Sequence, residues 1–270
     1  MLRDYFAEEK IEYFGVIPFS ACRLRRPDII ERKGVSAQSI QSAVMFLIPY
    51  YVHDGAGNIS LYARAGDYHH YSDALFERLL PKLEACFGGR FLGFADKSPI
   101  EENVAASMAG LGKLGDHYML INETYGSFVF LAEILSTNPP EALGWDGKTA
   151  EPSYCPHCGA CKRACPMMIE GMDCLSAVTQ KKGVLSDAEA DYIKKYGSAW
   201  GCDACQLACP LNQKVLQMGT ETPIDFFREN RISSLTAEAL GEMTDAEFRA
   251  RAFSWRGKAT LLRNLEILSR

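Results

Sequence analysis

Residues 155–166 read Cys-Pro-His-Cys-Gly-Ala-Cys-Lys-Arg-Ala-Cys-Pro and residues 202–210 read Cys-Asp-Ala-Cys-Gln-Leu-Ala-Cys-Pro, with a lone Cys174 between them. Eight of the chain's ten cysteines fall in this stretch, the number of thiolates that two cubane 4Fe-4S clusters need. Two-residue gaps let a tight loop set successive sulfurs around one small cluster. A three-residue gap ending in Cys-Pro sends the chain toward a second one, so Pro166 and Pro210 mark two exits. In this spacing three cysteines grip one cluster and the fourth crosses to the other. Cys155, Cys158 and Cys161 are thereby expected to share a cluster with Cys209, and Cys165 to join Cys202 and Cys205. That second set needs one more thiolate, for which Cys174 is the candidate.

The run ending in Cys-Pro is the bacterial ferredoxin spacing. A pair of four-cysteine zinc sites would also use two-residue gaps, but a zinc ribbon has no need of the doubled Cys-Pro ending. Disulfides fit less well, because Met1-Leu2-Arg3-Asp4-Tyr5 carries an acidic residue and opens no apolar run with a cleavage site. Cys22 and Cys86 stand alone and read as buried apolar side chains.

At 270 residues the chain is long enough to bury a real core and is more than a bare ferredoxin. Its hydrophobic fraction of 47% and charged fraction of 23% are those of a soluble globular protein. The longest apolar stretch, from Ala43 to Val52, is interrupted by Pro49, so no membrane span is expected and the reading is cytoplasmic. A net charge of −5 argues against wholesale nonspecific nucleic-acid binding and leaves room for a local basic patch.

Residues 1–10 read as a short amphipathic helix, Tyr13 to Ile17 as a strand, and Ala43 to Val52 as a buried central strand. Leu75, Phe76, Leu79, Leu80, Leu83 and Cys86 recur at helical spacing until Gly88-Gly89, and a strand follows from Arg90 to Ala95. Ser98-Pro99-Ile100-Glu101 combines a capping box with an early proline and predicts a helix running to Gly110-Leu111-Gly112. His117 to Asn122 and Ser127 to Leu135, separated by Thr124-Tyr125-Gly126, read as a hairpin. Asp187 to Tyr196 is a helix ended by Gly197, the chain turns helical after Asn212, and Thr244-Asp245-Ala246-Glu247 is a second capping box. The expected class is α+β: a mixed sheet core with flanking helices at 1–145, a two-cluster ferredoxin-like module at 146–215 and a helical segment at 216–270. No strand precedes a Gly-x-Gly-x-x-Gly, so nothing points to a dinucleotide.

Several further segments, in order, resemble the epoxyqueuosine reductases, cobalamin and iron–sulfur enzymes of tRNA modification that are related in core to reductive dehalogenases. They are Tyr62-Ala63-Arg64-Ala65-Gly66-Asp67-Tyr68-His69, Asp96-Lys97-Ser98-Pro99, Ala109-Gly110-Leu111-Gly112, the run from Gly126 to Ile134, Asp173-Cys174-Leu175-Ser176 among the cysteine groups, and Leu262-Arg263-Asn264. The resemblance implies a sheet core carrying the two-cluster module, with cobalamin held between them. It implies that electrons pass through the clusters to cobalt, that the cobalt centre engages the epoxide carbon, and that an aspartate supplies the proton with which oxygen leaves as water. Asp96 matches that aspartate. Tyr62, Arg64, Asp67 and Tyr68 match the lining of the corrin or substrate pocket, Leu120 matches a corrin contact, and Ser176 and Asp203 fall at the junction of cluster and corrin.

Physical chemistry pulls Asp96 two ways. A predicted helix N-terminus just after it would stabilise the carboxylate, whereas an apolar corrin face would raise its pKa by desolvation. Acid catalysis near neutral pH requires the second effect to win. Asp96 also reads as a helix-adjacent cap, and Tyr62 to His69 as an ordinary polar loop. Lys113-Leu114-Gly115-Asp116 departs from the family, which usually has tryptophan, an aliphatic residue, glycine and lysine there. Longer relatives continue into helical repeats that help hold tRNA, so the chain is expected to be a short form lacking them. Arg249, Arg251, Arg256, Lys258, Arg263 and Arg270 make a basic cluster suited to tRNA phosphates, or a solvated helix face.

The leading expectation is a cobalamin-dependent reductase of epoxyqueuosine in tRNA, fed by a reducing electron-donor protein. A corrinoid reductase with a small-molecule substrate and a non-catalytic iron–sulfur electron carrier are the other two readings.

Overall fold

The structure, a computed structural model, describes residues 1–167 and 174–269. Asp173 and Arg270, which the sequence reading included in its motifs, lie outside the described residues. Contacts gather the chain into two compact units, Met1–Pro49 with Tyr71–Cys158, and Tyr50–His70 with Gly159–Arg270.

The first unit is built on a four-stranded sheet of β1 (Phe14–Pro18), β2 (Ser42–Pro49), β3 (Phe91–Ala95) and β6 (Val129–Ser136), in the order β1-β2-β6-β3. All eight residues of β2 are buried, as an apolar, partly β-branched run covered on both faces should be. The α+β class holds, but the sheet is antiparallel throughout rather than mixed. The reason lies in the connection from β2 through α3 (Tyr68–Phe87) to β3, which leaves a gap between two strands of the same direction. That gap is filled by β6, antiparallel to both, as in a split β-α-β unit.

One sheet face is closed by α1 (Leu2–Glu8) and α3 through an aromatic row. Phe6 stacks on Phe14 at 4.7 Å and lies 5.1 Å from Phe46, which meets Phe76 edge-on at 6.3 Å. Phe6 and Phe46 are fully buried, each contributing about 1.5–3 kcal/mol. A Cβ at Gly93 would stand 2.2 Å from the Phe76 ring, so only glycine lets that ring lie on β3. The other face packs Ile17, Met45, Leu47, Leu92, Phe94 and Leu135 under α4 (Glu102–Met108) and the preceding short α2 (Pro27–Glu31).

Two local expectations fail here. The capping box at residues 98–101 does not form: the Ser98 hydroxyl bonds Ile100 instead, the Glu101 carboxylate pairs with Arg23 and Arg25, and α4 starts at Glu102 without a side-chain cap. The expected hairpin is replaced by β4 (Lys113–Leu114) pairing with β5 (Leu120–Ile121), while β6 goes to the large sheet. Asn122 accounts for the break, its Oδ1 accepting from the Thr124 and Tyr125 amides at 3.0 and 3.1 Å and its Nδ2 donating to Leu111.

The second unit is helical: α5 (Ala160–Ala164), α6 (Leu175–Thr179), α7 (Asp187–Tyr196), α8 (Ala204–Leu207), α9 (Pro210–Met218), α10 (Asp225–Arg228), α11 (Ala237–Glu242), α12 (Asp245–Arg249) and α13 (Lys258–Ser269). The α7 helix has the expected bounds, opened by a full capping box of Ser186 and Glu189 and closed by Gly197 at φ 63°. The Thr244–Glu247 box also forms. Trp200, Leu240, Phe253 and Leu261 are buried at the centre. Residues 50–70 join this unit because Asn58 and Ser60 bond the backbone of Ala199 and Trp200, placing Ile59 and Ala63 in its core. No described helix is long and apolar enough to cross a membrane.

Candidate functional site

Cys165, Cys174, Cys202 and Cys205 all lie in the second unit, carried by the end of α5, the start of α6 and the first turn of α8. Burial, followed by charge on Cys202, Cys174 and Cys165, pushes the Cys205 thiol up to about 12. Burial likewise takes Cys202 to about 11, with Cys174 and Cys165 among the groups opposing its ionisation. A metal centre at these thiols would supply the positive charge that drives off the protons of Cys202 and Cys205. No disulfide joins any of the ten cysteines.

A buried amide holds the two cysteine stretches in register. Asn264 on α13, fully buried, donates from Nδ2 to the Thr179 carbonyl at 2.7 Å and the Ala199 carbonyl at 2.8 Å. Thr179 closes α6 behind Cys174, and Ala199 precedes Cys202. Thr179 also accepts the Gly201 amide at 3.0 Å through its hydroxyl.

The other four cysteines divide between the units, Cys155 and Cys158 in the first, Cys161 and Cys209 in the second. The departing segment Lys113–Asp116 bears directly on the first pair. Leu114 exchanges backbone hydrogen bonds with Ser153 and Cys155 at 2.7 and 2.9 Å, and Asp116 Oδ1 meets His157 Nδ1 at 2.7 Å. Asp116, Cys155 and His157 hold ligand atoms within 4.8 Å of one another. Sequence reading noted the acid at residue 116 but missed its partner; His157 inside the cysteine run was the signal.

Beside the second cysteine set, and within the same unit, lies a cavity of about 560 Å³ lined by Cys202, Asp203, Ser60, Leu61, Arg64 and Leu175, among others. Asp203 is buried, which raises its carboxyl; the Ser60 hydroxyl at 2.5 Å and the Leu61 amide at 2.9 Å work the other way. The Arg64 guanidinium is spoken for by the loop it belongs to: it donates to the Ile59 and Gly55 carbonyls at 2.8 and 2.7 Å and pairs with Asp54, which Arg231 also holds at 2.8 Å. Arg64→Met is accordingly expected to lower unfolding free energy by about 3 kcal/mol, read from chemical denaturation of the purified protein. Arg64→Lys should recover little of it, because lysine cannot reproduce the fork of bonds.

Tyr62 accepts the Trp200 indole N–H at 3.0 Å. Burial opposes ionisation of Asp67, yet His69 outweighs it through both side chain and amide and holds the carboxyl below its usual range. Tyr68 stacks on His69 at 4.2 Å. Ser176 sits in the first turn of α6, accepting from Gln180 at 3.0 Å. Leu120, by contrast, is 2% exposed within the sheet core. Asp96 follows the end of β3 in the first unit, exposed, at φ 63°. The nearest helix begins at Glu102, so Asp96 is not at the helix start that its sequence suggests.

The basic cluster is less available than its sequence implies. Arg263 donates to the Lys181 and Gly183 carbonyls at 2.7 and 2.6 Å, Lys258 to Met243 at 2.7 Å, and Arg251 to Asn230. Arg249 is exposed, and Arg256 lies 3.7 Å over the ring of exposed Trp255.

Fold and site together define an α+β protein with an antiparallel sheet unit and a helical unit that carries six of the eight clustered cysteines. No family model matches the chain. Among curated proteins it is 32% identical over 203 residues to an epoxyqueuosine reductase of Gloeobacter violaceus, covering 72% of this chain and 62% of that one. It is 34% identical over 197 residues to that of Leadbetterella byssophila, covering 67% and 62%. The chain belongs to the epoxyqueuosine reductase family. It spans about 62% of the length of these relatives. The fold is also that of the epoxyqueuosine reductase from Streptococcus thermophilus, with a TM-score of 0.76 at 23% identity over 99% of this chain and 79% of that one. A further epoxyqueuosine reductase, solved with an epoxyqueuosine-modified tRNA-Tyr stem loop, matches with a TM-score of 0.74 at 21% identity, covering 99% and 79%.

Proposed function

We propose that the protein is a cobalamin-dependent iron–sulfur oxidoreductase that reduces epoxyqueuosine to queuosine in tRNA, with Asp96 as proton donor. The observation that carries this reading, given the family, is the gathering of Cys165, Cys174, Cys202 and Cys205 beside a cavity that Cys202 itself lines. These four thiols would hold one 4Fe-4S cluster, and Cys155, Cys158, Cys161 and Cys209 the other. The cavity volume suits a drug-sized group and so part of a corrinoid. The resemblance assigns Tyr62, Arg64, Asp67, Tyr68, Leu120, Ser176 and Asp203 to holding it; of these Arg64 and Asp203 line the cavity, and Leu120 is buried in the sheet core of the first unit. When bound, the corrinoid supplies a strongly reducing centre for attack on the epoxide carbon.

The residues of the chain do the rest. Asp203, its carboxyl raised by burial, presents a hydrogen-bonding edge to the cavity. Asp96 holds a proton for the departing oxygen, and coverage by substrate excludes water around it. In this assignment residues 1–145 form the substrate and corrin core, 146–215 the electron-transfer module and 216–270 the tRNA-facing segment. A cytoplasmic reducing protein would supply the electrons. Anaerobically prepared protein should contain cobalt, iron and sulfide and convert an epoxyqueuosine stem loop under strong reductant; full clusters with neither cobalt nor conversion would leave the electron-carrier reading.

The tied-down arginines favour one competitor, a corrinoid reductase acting on a small molecule. Stem-loop affinity across salt concentrations separates the two. For the tRNA reading, binding should fall steeply with salt, and Arg256→Ala should flatten the slope of log affinity against log salt by about 0.7–0.9. Salt-independent or absent binding would favour the small-molecule substrate.

A further inference from the structure

In the first unit β6 carries Glu133 on the sheet face that α4 covers, opposite Met45 on β2 and Phe94 on β3. Glu133 is wholly inaccessible and neither of its oxygens has a hydrogen-bond partner. The Ser98 hydroxyl is close enough to favour its charge but bonds Ile100 instead. An ionised carboxylate there would be costly, so burial, reinforced by Glu102, holds Glu133 protonated well above the usual range. Glu102 opens α4 with one oxygen buried and unpartnered, and burial together with the charge of Asp96 holds its carboxyl at about 7.

Other titratable and charged groups on this face are accounted for. The Cys22 thiol is pushed up to about 12 by burial and by Glu133. Lys33 donates to the Gly93 carbonyl at 2.9 Å and lies 4.7 Å from the Phe94 ring. Glu101 turns away to Arg23 and Arg25. Three carboxyl groups from β6, α4 and the end of β3 therefore grade from sealed Glu133, through half-buried Glu102, to exposed Asp96.

Resting on the reductase reading, we propose that Glu102 returns to Asp96 the proton that Asp96 gives up in each turnover, with Glu133 as the neutral acid that positions Glu102 from behind. The need arises because substrate covering Asp96 would cut it off from solvent. In the step, the O–H bond of Glu102 breaks as that of Asp96 forms, and no electron moves. The O–H of Glu133 donates a hydrogen bond to the transient Glu102 carboxylate, which then regains a proton from bulk water at its exposed edge.

Two sets of measurements test this. In reconstituted enzyme, Glu102→Gln should slow later turnovers at least about tenfold more than the first, since the donor starts loaded and only its recharging fails; equal slowing of all turnovers, or none, would overturn the proposal. In protein without cofactors, infrared titration should find the Glu102 carboxyl near 7, identified by its loss in Glu102→Gln, and Asp96→Asn should lower that midpoint. Should the wild type fail to reduce epoxyqueuosine while this shift persists, the reductase reading falls and the carboxylate coupling stands; an unmoved midpoint sinks the coupling whatever the activity.

Glu133→Gln supplies a separate check on stability. A carboxyl raised in the folded state binds its proton more tightly there than in the unfolded chain. Its contribution is complete below the unfolded pKa and is lost as pH rises through the folded value. Glu133→Gln, which replaces the neutral acid by a neutral amide, should flatten the alkaline fall in unfolding free energy; an unchanged slope would mean that Glu133 is not a buried acid and would overturn its assignment.

Discussion

Asp96→Asn is expected to reduce epoxyqueuosine turnover by about 10²–10⁴-fold while leaving iron, sulfide and cobalt contents unchanged. The substitution isolates the proton from the backbone. Asp96 occupies φ 63°, and asparagine is among the few residues that accept this left-handed region readily, so the turn after β3 should survive. Asp96→Ala would add a backbone penalty of about 1–2 kcal/mol to the lost carboxyl and blur the comparison. Multiple-turnover assays under strong reductant, with metal analysis on the same samples, decide the matter. An asparagine variant within about threefold of wild type would remove Asp96 from the chemistry, since a positioned acid contributes far more than that.

The second large effect concerns Cys174→Ser. Cys174 lies outside both close-spaced runs, but its charge is among those that oppose ionisation of Cys202 and Cys205. If it completes the second cluster, the serine variant should lose about half of the bound iron and all turnover, because the assigned ligands then number only three. Cys86→Ser, at a site outside the module that is exposed rather than buried as its sequence suggests, is the control and should keep full iron. The loss should also register as instability. Metal binding to thiols that resist ionisation contributes folding energy, so α6 should open more easily in the variant, visible as faster amide exchange over residues 175–179. Full iron in Cys174→Ser would return the fourth ligand to the open question it is in the sequence.

The parts legible in the sequence were those fixed by nearby residues. The α7 helix carries its own start and stop signals in Ser186, Glu189 and Gly197, and β2 announces itself as an unbroken apolar run. The cysteine spacing was likewise a local pattern. What went unread depended on partners far along the chain. Ser98 and Glu101 have the right spacing for a cap, but arginines at 23 and 25 claim the carboxylate. The short strand at Leu120–Ile121 is too brief to select its own neighbour, and Asn122 turns the chain before a hairpin can propagate. In the basic segment, charge could be counted, but not the carbonyls that Lys258 and Arg263 would meet. Glu133 sits in a run read simply as strand, and only burial among Met45 and Phe94 marks it as an acid without a partner.

The amide of Asn264 spans the carbonyls that flank the cysteine stretches on either side. A growing polypeptide that has emerged only as far as Cys209 already displays all eight sulfurs, yet lacks the strut that keeps their loops at the proper spacing. If these sulfurs take up the inorganic centres proposed above, docking of α13 would favour their assembly in the finished chain over assembly in a half-made one.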